Sequence, residues 1–147
     1  MMRAVLDVNV IISAIIAPKG TPRQVLEAWR DQRFDLVISE GMIAQVEEKL
    51  RLPKIGGAYN VSEADIRWVR ALFRTQAEVV LVRFEDLVGA VKDPEDDYVL
   101  ATGVVGKADY LVTGDRGLLA LKEHRKVRIV NPRAFLETLN RRAPHRG

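Results

Sequence analysis

Arg3-Ala4-Val5-Leu6-Asp7-Val8-Asn9 opens the chain with an apolar run that ends on a carboxylate, and Tyr110-Leu111-Val112-Thr113-Gly114-Asp115 repeats the arrangement a hundred residues later. Each stretch reads as a short strand, apolar on both faces, that hands over to a helix or loop at an acidic residue. Residues 3–8 give the first such strand and 109–113 another. Phe34 to Ile38, Glu78 to Val82 and Val127 to Val130 read the same way. Helical patterns separate them. Asn9 to Ala17 precedes Pro18-Lys19-Gly20, and Thr21-Pro22 restarts a helix, with Thr as cap and Pro at the first helical position.

Ser39 opens a third helix, carrying Met42, Ile43, Val46 and Leu50 and closed by Pro53; Leu52 to Asn60 reads as a loop. Ser62 and Asp65 form a capping box before the stripe Ile66, Val69, Leu72, Phe73. Asp93-Pro94 caps a helix to Gly106, a short one spans Gly117 to His124, and Pro132 opens the last, to about Arg141. Trp29, Trp68, Tyr98 and Phe73 sit among aliphatics at helical spacing and read as core or dimer surface. Strands alternating with helices, each strand nearly all apolar, predict an α/β fold. The expected architecture is a three-layer α/β/α sandwich around a central parallel, Rossmann-like sheet of about five strands. Residues 1–142 read as one domain, and 143–147 as a flexible C-terminal tail.

In such a sheet the carboxyl ends of the strands share one edge, where ligands bind. Asp7, the group Asp93, Asp96 and Asp97, and Asp115 all fall there. Two carboxylates about 5 Å apart repel by roughly 3 kcal/mol at an effective dielectric near 20. A bound cation is the simplest remedy, and an oxygen-only donor set favours a hard ion, Mg²⁺ or Mn²⁺. Asp7, so close to a core strand, needs a partner. Asp93 also reads as a helix cap, and Asp96, three residues on, as the acidic end of a capping box.

The formal net charge is +3, so basic residues dominate away from the acidic edge, among them Arg23, Arg30, Arg51, Arg70 and Arg74. A negative pocket ringed by positive surface suits a polyanion approaching a metal, although each of these residues reads equally as solvated helix surface. With no cysteine, disulfides, thiolate nucleophiles and zinc–sulfur sites are excluded. The first residues do not read as a signal peptide, and Val10 to Ala17 is too short to span a bilayer. A soluble, cytoplasmic protein is expected. The two histidines, His124 and His145, make paired-histidine acid–base chemistry improbable. No phosphate-cradling glycine motif occurs. A phosphoacceptor receiver domain wants an acidic pair after the first strand, whereas Asp7 is followed by Val8 and Asn9.

The ordered set Asp7-Val8-Asn9-Val10-Ile11-Ile12-Ser13, then Ser39, then Asp93-Pro94-Glu95-Asp96-Asp97, then Val112-Thr113-Gly114-Asp115 with Leu118-Leu119 resembles the PIN-domain family. Within it, the chain is similar to the small single-domain prokaryotic proteins of the VapC toxin type. The resemblance runs from Asp7 to the final helix, and its specificity lies in the ordered combination. It implies a metal-dependent endoribonuclease using Mg²⁺ or Mn²⁺, the toxin of a toxin–antitoxin pair. It also implies a homodimer, neutralised by a small antitoxin protein. By resemblance Asp7, Asp97 and Asp115 are the catalytic and metal-holding acids, with Thr113, Asn9 and Ser13 as supporting polar groups. One departure stands out. Where the family usually has a glutamate, six residues after Ser39, this chain has Gln45. Either Gln45 or Glu48, one turn on, is expected to complete the shell. A chain that kept the fold as an RNA- or protein-binding module without catalysis is the alternative.

Overall fold

The computed structural model describes residues 1–87 and 89–142, so the expected tail at 143–147 lies outside the described residues. Six strands form one sheet: β1 (Arg3–Leu6), β2 (Asp35–Ser39), β3 (Glu78–Val80), β4 (Tyr110–Val112), β5 (Glu123–His124) and β6 (Val127–Val130). Their spatial order is β3-β2-β1-β4-β6-β5. All pairings are parallel except β5 with β6. The two-residue β5 was not expected; it folds back from the short helix 116–121 onto β6 and blunts that edge of the sheet.

The described residues also form seven α-helices: α1 (Val8–Ile16), α2 (Thr21–Arg30), α3 (Glu40–Leu50), α4 (Glu63–Gln76), α5 (Pro94–Val105), α6 (Arg116–Leu121) and, after the last strand, α7 (Pro132–Arg142). The expected loop after α3 contains a π-helical turn at Pro53–Gly57. The capping box of Ser62 with Asp65 forms as read, each side chain bonding the other residue's backbone N–H. Gly20, not Thr21, is the cap of α2; its φ of 116° suits a residue without Cβ.

Val5, Val37 and Leu111 lie in register across three strands, so they share one sheet face. Helix α5 covers that face, with Gly103 against Val5 and Val127, and Gly106 against Val37. On the opposite face Phe135 of α7 packs edge-on to Tyr110 and Phe34. The α/β sandwich follows from strands whose two faces are both apolar. Val5, Leu6, Val37, Ile38, Leu111 and Val112 are all fully buried. Trp29 and Phe73 stack in the core, while Trp68 is exposed under the Arg30 guanidinium.

The strand order fixes where a ligand can sit. The chain winds outward from β1 to β2 to β3, then crosses back to place β4 on the other side of β1. The crevice beyond the carboxyl ends of β1 and β4 is therefore the topological switch point. Asp7 follows β1 there, and Asp115 follows β4.

Candidate active site

Leu6 is paired in register with Val112, which sets Asp7 beside Thr113 in the next position along. The Thr113 hydroxyl donates to Asp7 Oδ2 at 2.6 Å and accepts the Asp115 backbone N–H at 3.0 Å. Both Asp7 and Thr113 are buried, and the Asp7 N–H is tied to the Val112 carbonyl. One threonine thus couples the ends of two strands. Asp115 caps α6, its Oδ2 accepting the Leu118 N–H at 2.9 Å.

The segment Asp93–Asp97 divides among three roles. Asp93 is the cap of α5, its carboxylate accepting the N–H groups of Glu95 and Asp96. The Asp97 side chain points into the preceding loop, where its two oxygens accept from Gly89 (3.1 Å) and Ala90 (2.9 Å). It is buried, and each of its oxygens accepts one backbone N–H of that loop. Asp96 makes no capping-box bond. Its carboxyl lies close enough to Asp115, Asp93 and Asp7 for their charges to act on it.

Electrostatics mark two residues here, Asp96 and Asp7. Partial burial, then the charges of Asp115, Asp93 and Asp7, push the Asp96 carboxyl up to about 6. Burial also raises Asp7 above the ordinary carboxylate range. Its bonds from Thr113 and from the Asn9 and Val8 backbone oppose that rise, and the Asp115 charge adds to it. Strongly perturbed acids gathered at a sheet edge mark a candidate functional site.

Helix α3 supplies the remaining wall. Its start is fixed by Tyr98 of α5, whose hydroxyl accepts the Gly41 N–H at 3.1 Å. A Cβ at residue 41 would lie 2.3 Å from that oxygen, so glycine is required for the two helices to meet. Ser39 is buried, and its hydroxyl accepts from Thr102 instead of capping α3. Gln45 Oε1 is buried without a hydrogen-bond partner. One turn on, Lys49 Nζ donates to Asn9 Oδ1 at 3.3 Å and stands 3.6 Å from Glu95. Glu48 is exposed and makes none of the hydrogen bonds or ion pairs found among the described residues. Ser13 is half-buried on α1, its carbonyl accepting from Ala17.

Among the described residues, no three acidic or histidine side chains converge tightly enough to grip an ion as they stand. The donor chemistry nonetheless fits a hard cation. Asp7, Asp96 and Asp115 offer only oxygen, and the unpartnered Gln45 Oε1 is a spare acceptor on α3. A cavity of about 630 Å³ between α2 and α4, lined by Arg30, Trp68 and Leu72 among others, includes none of the three carboxylates.

Sequence reasoning placed Asp7, Thr113 and Asp115 where the structure brings them together, and read Asp93 as a cap. It counted Lys49 only among the basic residues away from the acidic edge, and it missed the loop N–H groups that engage Asp97. The spacing of Lys49 from Gln45, i to i+4, was the available signal.

Comparison with known proteins supports the fold. The chain is 24% identical to the uncharacterized protein MJ1680 of Methanocaldococcus jannaschii, over 92% of this chain and 90% of that one. It superposes with a TM-score of 0.58 on a chain from the structure of VapBC2 from Rickettsia felis bound to a DNA fragment from their promoter. That match has 15% identity and covers 88% of this chain and 98% of the other. The PIN domain model matches residues 3–117, which contain both strand ends, Asp96 and α3. The chain belongs to the PIN-domain family, a family of nucleases.

Proposed function

We propose that this protein is a Mg²⁺- or Mn²⁺-dependent endoribonuclease whose metal is held by Asp7, Asp96 and Asp115, with Gln45 Oε1 as a neutral fourth donor. The observation that carries this reading is the cluster at the switch point. Asp96 is driven to about 6 by burial and by its acidic neighbours, which leaves the site short of positive charge. A bound divalent ion supplies a water of lowered pKa and a charge that stabilises the developing phosphate transition state. The chain's own groups do the positioning. Thr113 holds Asp7 and steadies the turn into Asp115, while the Leu118 N–H fixes the Asp115 carboxylate. In this reading Asp97 is a positioning residue that fastens the 89–90 loop beside the site, rather than a metal donor.

The VapBC2 match supports extending the proposal to a toxin of a toxin–antitoxin pair, neutralised by a small antitoxin protein, and the family resemblance extends it to a homodimer. No described helix is long and apolar enough to cross a membrane. The test is cleavage of single-stranded RNA by the purified chain with Mn²⁺, with Asp7→Asn as control. Loss of cleavage in the variant is expected; equal behaviour of the two proteins would overturn the reading. The neutral Gln45 favours one second reading, an RNA-binding PIN fold without catalysis. RNA binding without any Mn²⁺ uptake in calorimetry would support it.

A further inference from the structure

We propose that Lys49 is a substrate-positioning residue that contacts a phosphate of the nucleic acid, resting between Asn9 and Glu95 until the substrate displaces it. The inference rests on the nuclease reading above. Lys49 is placed for the task by α3, which is locked to α5 by the Tyr98–Gly41 contact. Its ammonium stands between Asn9, two residues past Asp7, and Glu95, one residue before Asp96. The lysine therefore lies at the rim of the acidic cluster, on the same helix face as the unpartnered Gln45 Oε1.

Its present partners hold it weakly. The contact to Asn9 is 3.3 Å, and the Glu95 carboxylate is 3.6 Å away with its side chain 60% exposed. A pair at that distance, open to solvent on the Glu95 side, contributes little. The nearby Arg70–Glu47 pair is different: it is bidentate, with contacts of 2.9 and 2.6 Å. An ammonium on a flexible stem can exchange Glu95 for a phosphate oxygen at small cost.

Charge balance supplies the reason. Three carboxylates carry three negative charges, of which a divalent ion cancels two. A phosphodiester approaching that site still meets net negative charge. Lys49 offsets part of that charge beside the incoming phosphate, and Gln45 avoids adding a further carboxylate. The pair Gln45 and Lys49 leaves this site more receptive to an anion than an all-acidic one.

A plain structural role would make Lys49 only a bridge between α3 and α5, and the experiment separates the two. Binding of a labelled single-stranded RNA oligonucleotide is measured by anisotropy on Asp7→Asn protein with Mg²⁺, at several salt concentrations. KM for the same oligonucleotide is measured on the otherwise native chain. Lys49→Met is expected to weaken binding on the order of tenfold, the worth of one charge-assisted hydrogen bond. The salt slope should become shallower by about 0.7, as for one lost phosphate contact on a single strand. KM should rise with little change in kcat, Lys49→Arg should restore most of the affinity, and Glu95→Gln should bind as tightly as the parent or tighter. Equal weakening by Lys49→Met and Glu95→Gln would overturn the proposal, as would an unchanged salt slope or an Asp7→Asn parent that binds no RNA. If Asp7→Asn binds RNA through Lys49 while the native chain cuts none, the nuclease reading falls and Lys49 stands. If the native chain cuts RNA and Lys49→Met leaves KM unchanged, Lys49 falls and the nuclease stands.

Discussion

The seam between α3 and α4 and the carboxyl edge of the sheet are both rich in acids, and they treat them in opposite ways. At the seam three glutamates each have an arginine: Glu40 with Arg74, Glu47 with Arg70, and Glu63 with Arg51. Hydrogen bonds from those guanidiniums hold all three glutamates below the ordinary carboxylate range. At the edge, Asp7, Asp96 and Asp115 take part in none of the ion pairs found among the described residues, and Asp7 and Asp96 are raised instead. Paired acids at the seam fasten two helices. Acids gathered at the edge without a cation impose a cost on the fold that only a function repays.

That contrast can be broken in several ways. The largest effect belongs to the edge: Asp7→Asn, Asp96→Asn or Asp115→Asn should each lower kcat/KM for RNA by at least on the order of a hundredfold, more than outer-shell changes at metal sites cost. Near-native turnover in any of them would remove that residue from the metal set. Thermal melts give the next effect. Mn²⁺ at a hundred times its Kd should stabilise the native chain by about 2.7 kcal/mol, and Asp96→Asn should show almost none of this.

The pH dependence of the metal-free protein comes third. Because the folded Asp96 holds its proton up to about 6, the native state binds more protons than the unfolded chain between about pH 4 and 6. The Asp96 contribution to stability is therefore favourable at low pH and is lost as pH rises through that window. The stability of Asp96→Asn relative to native should climb by on the order of 2 kcal/mol between pH 4 and 7. A flat difference would mean that Asp96 is not perturbed as described. The smallest effect belongs to the seam. Glu47→Gln should lower Tm by a few degrees and leave RNA cleavage unchanged, since its partners Arg70 and Arg51 lie away from the edge. Loss of cleavage there would blur the distinction between the two regions.

The sheet and the edge were legible because strand ends are written locally: Ala4-Val5-Leu6-Asp7 and Val112-Thr113-Gly114-Asp115 each carry their apolar run and their acid together. Asp93 was legible as a cap for the same reason, since Pro94 follows it. The choice between Asp96 and Asp97 was not. Neighbours on a helix point about 100° apart, and an apolar stripe would normally say which one faces inward. Helix α5 has no such stripe, because Val99, Leu100, Ala101, Thr102 and Gly103 are all buried. What sets their surroundings apart is the pair of N–H groups at Gly89 and Ala90 that bond Asp97, in a loop whose conformation no periodicity announces. Lys49 was hidden for a similar reason, since its contacts at Asn9 and Glu95 are brought close only by the fold.

Calorimetric titration of Mn²⁺ into the native chain, Asp96→Asn and Asp97→Asn tests the central claim most directly. The three carboxylates at the switch point predict binding by the native chain, loss of binding in Asp96→Asn, and retained binding in Asp97→Asn with a lower Tm from the released loop. No uptake of Mn²⁺ by the native chain, or loss in Asp97→Asn with retention in Asp96→Asn, would contradict it.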